Sequence, residues 1–219
     1  MLGVIMLDTV FPRFPGDIGN KDTFDFPVKY EVVKGAIPKR VVWDADRDLV
    51  SHFIRAAQKL ESEGARLITT SCGFLALFQG LIAGEIGVPF ISSSLLQVPL
   101  IHSMLGKGKR VGILTADAGR LTRDHFKEAG AGNIPLVVHG MEGQEEFYRV
   151  FVGNSAEADF GRLEREVGEV ASRFAGHGDI GAVVLECTNL PPFEDCIRQA
   201  AGLPVFHLNS LLKMVYSRL

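Results

Sequence analysis

Residues 65–74 read ARLITTSCGF and residues 181–190 read GAVVLECTNL. Each is an apolar run that ends at a cysteine, Cys72 in the first and Cys187 in the second. In each, a Gly-x-Pro begins fifteen residues beyond the cysteine, at Gly87 and at Gly202, and leads into another short apolar segment. Short apolar runs bounded by turn residues are the pattern of strands buried on both faces. Two copies of strand, cysteine, helix and strand predict two similar half-molecules with thiols at matching corners.

The same alternation runs outward in both directions. Residues 2–7 (LGVIML) predict a buried first strand and 28–33 (VKYEVV) a more exposed second one. A helix is expected over 45–63, with Leu49, Phe53, Ala56, Ala57 and Leu60 on one face and Gly64 as its stop. Strand 66–71, a helix over 74–86, strand 89–92 and helix 95–105 follow. The pattern restarts at RVGILTAD (110–117), which resembles the first strand. A helix at 119–129 and strand 135–139 come next, then a long helical region at 142–174 split near Gly153-Asn154-Ser155. Strand 181–186, helix 192–201, strand 204–207 and helix 209–218 end the chain. Strands alternating with helices predict an α/β fold with mostly parallel sheets flanked by helices. The division expected is a first lobe of 1–97 plus 208–219 and a second lobe of 98–207, with the last helix returning to the first lobe. Residues 8–27 and 34–44 lack periodicity and are rich in Pro, Gly and aromatics. They follow first-lobe strands, so they fall at the carboxyl edge of the sheet, where ligands bind. A lid or an ordinary surface excursion are the two readings open for them.

Composition narrows the class. The 219 residues suit one large domain or two small lobes, and 47% are hydrophobic, enough for a full core. The net charge is −3 with cations spread along the chain, so no nucleic-acid footprint is expected. No apolar run nears the ~20 residues of a membrane span. The start, MLGVIMLDTV, reads as a strand and not as a leader. Three cysteines do not make a disulfide framework, and a reducing cytoplasm is the expected setting. No C-x-x-C or H-E-x-x-H spacing is present, so a metal site is not expected.

Cys196 lies mid-helix in FEDCIRQAA and reads as a packing residue. Cys72 and Cys187 differ, because each sits at a strand-to-helix turn. There the free N–H groups and the positive helix end are expected to lower a thiol pKa from about 8.5. Two thiols flanking one carbon suit the removal of a proton from one face and its return to the other.

Several segments together resemble the aspartate/glutamate racemase superfamily, which includes hydantoin racemases and related decarboxylases. They are Leu7-Asp8-Thr9, Thr70-Ser71-Cys72-Gly73, Val111-Gly112-Ile113-Leu114-Thr115 and Glu186-Cys187-Thr188-Asn189. The resemblance covers essentially the whole chain. It implies two pseudo-symmetric lobes with the site in the cleft between them, no pyridoxal phosphate, no metal, and a homodimer. It assigns Cys72 and Cys187 as the catalytic pair, with Asp8, Thr9, Thr115 and Thr188 toward the substrate. Gly73 and Phe74 stand where glutamate racemases have Asn-Thr, and Asn189 where they have histidine. These three join the substrate-binding candidates, and Gly73-Phe74 turns the comparison toward hydantoin racemases. The expected function is a cofactor-independent amino-acid racemase acting on a small carboxylate-bearing substrate. Hydantoin racemase or a related isomerase or decarboxylase is the second reading. A non-catalytic two-lobed small-molecule binder is the third.

The remaining candidates have plainer readings. Asp8 serves as an acid/base helper or as a turn cap. Arg13 is expected to be a solvated loop residue in preference to a carboxylate ligand. Ser92, Ser93 and Ser94 are expected to cap the helix that follows them. His139 and His207 read as core residues, Trp43 as a packing anchor, and Lys107, Lys109 and Arg110 as a solvated turn.

Overall fold

Eight strands form two four-stranded parallel sheets in the computed structural model, which describes residues 1–219. The first sheet holds β1 (Leu2–Leu7), β2 (Val28–Val33), β3 (Leu67–Thr70) and β4 (Phe90–Ile91), in the order β2-β1-β3-β4. The second holds β5 (Arg110–Thr115), β6 (Leu136–Gly140), β7 (Ile180–Leu185) and β8 (Val205–His207), in the order β6-β5-β7-β8. The two halves repeat one topology, and the architecture is the two-lobed α/β arrangement expected. Residues of β1 and β3 are buried throughout, as unbroken apolar strands require, while β2 at the sheet edge is mostly half-exposed.

Helices α1 (Val50–Ser62), α2 (Gln79–Ala83), α3 (Val98–Met104), α4 (Arg123–Glu128), α5 (Glu145–Phe147), α6 (Phe160–Ala175), α7 (Glu194–Ala201) and α8 (Leu208–Tyr216) surround the sheets. The expected face of α1 is the buried one, Phe53, Ala56, Ala57 and Leu60. In α6 the buried stripe is Leu163, Val167, Val170, Ala171 and Phe174. Each of these helices lies down on the central strand of its sheet at a glycine. A Cβ on Gly3 would stand 3.1 Å from Leu60 Cβ, and one on Gly112 would stand 2.8 Å from the Phe174 ring.

Three helical spans depart from expectation. The 74–86 helix is a 3-10 segment, Gly73–Phe78, followed by the short α2. Nearly every residue of GFLALF is buried, so no amphipathic stripe enforces a 3.6-residue period. The 119–129 helix begins at Arg123, because Thr122 and His125 form a reciprocal cap. The 142–174 region breaks into α5, a π-helical turn (Tyr148–Val152) and α6. Asn154 stands at φ +58°, and Asp159 starts α6 anew by accepting the Arg162 N–H at 3.0 Å.

One hydrophobic core draws on both sheets. A smaller one covers the far face of the first sheet, where Leu2, Val4, Met6, Leu67 and Ile91 meet Ile18 and Phe24 of the long loop and Leu208 and Leu212 of α8. Phe26 stacks on Tyr216 at 3.9 Å between ring centroids. No helix is long and apolar enough to cross a membrane.

Candidate active site

Both cysteines lie just beyond the carboxyl ends of equivalent strands, β3 and β7. Cys72 has extended backbone (φ −151°, ψ 116°) and heads the 3-10 segment. The Thr70 hydroxyl sits 2.9 Å from the Cys72 carbonyl and 2.8 Å from the Ser92 carbonyl, which fixes this corner to the end of β4. The two corners are also bonded to each other. Thr188 Oγ1 donates to the Ser71 carbonyl at 2.7 Å, and Ser94 Oγ donates to the Leu185 carbonyl at 2.6 Å. These are buried hydrogen bonds between the halves, each beside a cysteine, so they hold the thiols in fixed relation.

The two thiols line one pocket. The loop after β1 supplies Thr9, Phe11 and Arg13. The first corner supplies Cys72, Gly73 and Phe74, and the second Cys187, Thr188 and Asn189. Phe151 closes the wall from the π-helical turn. The loop 8–27 is therefore a pocket wall, and Val42 adds the 34–44 segment to the same wall. The Val10 N–H bonds to Asn154 Oδ1 at 2.8 Å, and the Phe11 and Phe151 rings meet edge-on at 5.2 Å, which joins the loop to the other half.

Arg13 is not solvated. Its side chain is only 14% exposed and pairs with Asp17 at 3.0 Å. Nη2 donates to Thr9 Oγ1 at 2.7 Å, and the guanidinium lies 4.3 Å from the Phe11 ring centroid. Asp17 in turn accepts from Asn189 Nδ2 at 2.7 Å. Thr9, Arg13, Asp17 and Asn189 thus form one chain of bonds from the loop to the second cysteine corner. A loop without periodicity gives no sequence signal for this inward fold.

Asp8 and Thr115 do not line the pocket. The Asp8 carboxylate accepts the Gly35 N–H at 3.0 Å and pairs with Lys34 at 3.3 Å, closing the turn after β2. The Gly35 N–H and then Lys34 hold its pKa below the usual value. Thr115 is fully buried and gives its hydroxyl to Glu186 Oε2 at 2.6 Å. Ser93 accepts the Leu95 N–H at 3.2 Å and so caps the 3-10 turn Ser94–Gln97, as expected of the serine run.

The sequence places Glu186 in the second cysteine motif and assigns it no role. It is fully buried between β7 and Cys187, and an acid closing an apolar strand, in GAVVLEC, was the signal for it. Glycine at position 73 makes room for it, because a Cβ there would stand 2.2 Å from both Glu186 O and Glu186 Oε1. Gly73→Ala is therefore expected to lower stability by about 2–3 kcal/mol, or roughly 5–10 °C in melting midpoint. A thermal melt unchanged within 1–2 °C would contradict this packing.

The thiols do not have the lowered pKa expected. Burial, and then the Glu186 charge, push Cys72 up to about 12, against the opposing N–H groups of Phe74 and Leu75 and the charge of Arg13. Burial and Glu186 also push Cys187 well above its usual value. Each cysteine is only 8% exposed. A helix end contributes about 0.3–1 kcal/mol, which desolvation outweighs. Beyond Cys187 the helical turn starts only at Pro191, and Pro191 and Pro192 have no N–H to offer. Burial likewise raises Glu186 to about 7, opposed by the Thr115 hydroxyl.

No family profile matches the chain. Among curated proteins, a dimethylsulfoniopropionate lyase of Durusdinium sp. clade D is 32% identical over 214 residues, 94% of this chain and 70% of that protein. Dimethylsulfoniopropionate lyase 6 of Emiliania huxleyi is also 32% identical over 94% of this chain, which spans 56% of it. Among solved structures, an allantoin racemase from Klebsiella pneumoniae matches with TM-score 0.69 at 14% identity, over 99% of this chain and 86% of that one. A glutamate racemase from Bacillus anthracis matches with TM-score 0.62 at 11% identity, over 99% and 82%. The fold is that of the racemase superfamily, and the chain is an enzyme. The expected amino-acid racemase is corrected, because the relatives similar in sequence carry a lyase's name while the racemases share the fold alone. The hydantoin-racemase alternative falls with it.

Proposed function

Because the chain belongs to the dimethylsulfoniopropionate lyase family, we propose that it cleaves the carbon–sulfur bond of dimethylsulfoniopropionate, releasing dimethyl sulfide and acrylate. That substrate carries a carboxylate at one end and a sulfonium at the other. A base removes the proton next to the carboxylate, and the resulting carbanion expels dimethyl sulfide from the adjacent carbon. Racemisation starts with the same proton removal. The two reactions part at the next step, where a β-leaving group replaces reprotonation from the opposite face. A racemase-like site thus becomes a lyase site when its substrate carries such a group.

One observation carries the reading: the pocket shared by the cysteines also holds a largely buried guanidinium and three phenylalanines, Phe11, Phe74 and Phe151. Arg13 suits the carboxylate. The aromatic faces suit a sulfonium, whose charge is spread over its methyl groups and loses little on leaving water. The base we assign is Cys72. Its thiolate is favoured by the N–H groups of Phe74 and Leu75 and by Arg13, whereas Cys187 has only the Asn189 N–H in its favour and is further opposed by Cys72 itself and by Asp17. The pair therefore carries at most one charge, and Cys187 stays a thiol.

Headspace chromatography of the purified protein with dimethylsulfoniopropionate tests the assignment, with acrylate followed by proton NMR. Equimolar release of the two products is expected. 3-(Methylthio)propanoate, which lacks the positive charge and would have to expel a thiolate, is expected to remain intact. No dimethyl sulfide at any pH from about 6 to 9 would rule the reading out.

A further inference from the structure

Glu186 lies behind the thiols and not in the pocket. Its Oε2 accepts the Thr115 hydroxyl at 2.6 Å, while its Oε1 is buried with no partner. The absent Cβ of Gly73 leaves that oxygen against the backbone that follows Cys72, and peptide linkage puts Glu186 next to Cys187. It is the acidic group whose charge acts on both sulfurs. A buried carboxyl with one oxygen unsatisfied costs stability, and a functional role explains its retention.

We propose that Glu186 is a positioning residue that takes up the proton Cys72 must shed when the substrate arrives. This rests on the lyase reading of the site. The dry interior behind the pocket tolerates one negative charge and not two. In the empty protein that charge belongs to Glu186, which titrates about 7 while Cys72 titrates about 12. A sulfonium in the pocket stands on the cysteine side, because the thiols line the pocket and Glu186 does not. Its field favours the charge on sulfur. The Cys72 S–H bond breaks, an O–H bond forms on Glu186, and the net charge is unchanged. The thiolate then takes the substrate's α-proton, and the carbon–sulfur bond breaks with its electron pair leaving on dimethyl sulfide. Cys72 is a thiol again, and the Glu186 proton passes to solvent. One substrate gives dimethyl sulfide, acrylate and one proton.

The titratable and polar groups around this trio come from three directions. Arg13 and Asp17, on the loop after β1, are paired with each other. From α4, His125 packs its ring edge-on to Phe74 at 5.5 Å, and burial lowers its pKa. From β5 comes only the neutral Thr115 hydroxyl.

Glu186→Gln keeps the shape and the bond to Thr115 but can neither hold the charge nor take the proton. Two readouts should move in opposite directions. Without substrate, iodoacetamide should alkylate the variant's thiols about tenfold faster than wild type across pH 8–10, because a nearby negative charge is gone. With dimethylsulfoniopropionate, kcat/KM of wild type should rise with pH to a plateau with its midpoint near 7, the Glu186 ionisation. The variant should lack that limb, run about thirtyfold slower near pH 7.5, and gain rate through pH 9. A merely structural role moves neither profile in this way. If the glutamine variant does not fold, Thr115→Val, which removes the hydroxyl that favours the carboxylate, should move the wild-type limb to higher pH. Unchanged alkylation, or a limb near 7 that survives in Glu186→Gln, overturns the proposal. Shifted alkylation in a protein that releases no dimethyl sulfide instead overturns the lyase reading and leaves the hold of Glu186 on the thiols standing.

Discussion

Cys72→Ser is expected to lower kcat for dimethyl sulfide release by about 10³-fold or more, with KM within a fewfold of wild type. A serine hydroxyl in the same place does not ionise in the working range, so the base is lost while the pocket wall keeps its shape. Cys187→Ser is expected to retain activity within about tenfold. The difference follows from the chemistry. Elimination needs one base, and dimethyl sulfide leaves as a neutral molecule that asks for no proton. A two-base racemisation would lose both variants equally. Initial rates for the two serine variants, with circular dichroism to confirm folding, make the comparison. Equal losses at the two positions, or a larger loss at Cys187, would sink the assignment of Cys72.

Arg13→Met is expected to raise KM by about 100-fold, since a charge-assisted pair with a carboxylate contributes roughly 2–3 kcal/mol. Methionine retains an apolar stem to cover the Phe11 ring, so the aromatic wall survives. The variant also strands Asp17, whose side chain is 2% exposed and keeps only its bonds to Asn189 and the Gly19 N–H. Removing one partner of a buried pair costs about 3–5 kcal/mol, so the single variant should melt earlier as well. The double variant Arg13→Met/Asp17→Asn separates the two effects. Its melting temperature should recover toward wild type while KM stays high. If KM recovers along with stability, Arg13 holds the loop and not the substrate.

Much of the fold could be read from residues alone because it is written in local pattern. The runs at 2–7, 67–70, 110–115 and 180–185 are strands because no charged residue interrupts their interiors, and they occupy the centres of both sheets. The repeat around Cys72 and Cys187 implied two equivalent corners, and the sheets reproduce it strand for strand. Arg13 and Glu186 were harder to foresee, for different reasons. Arg13 lies in a loop whose inward course is fixed by Ile18 and Phe24 packing under the first sheet, contacts distant in sequence. Glu186 is an acid in a place where acids are rarely buried, and its carboxyl is placed by the Thr115 hydroxyl and the space left at Gly73, both distant in sequence. The thiol pKa values ran opposite to expectation, because a helix end is a local feature whereas desolvation depends on everything packed around the sulfur. The reaction class was misread for a further reason. Proton removal beside a carboxylate is common to racemases and lyases, and the leaving group belongs to the substrate.

By itself the sequence determined the two-lobed parallel architecture and the matching positions of two cysteines, since hydrophobic period and chain spacing are carried by neighbouring residues. Only the tertiary structure decided that Arg13 turns inward, that Thr115 serves Glu186, and that both thiols are held neutral beside a buried acid. Those outcomes depend on which distant side chains exclude water from a charge, and no stretch of chain encodes that alone.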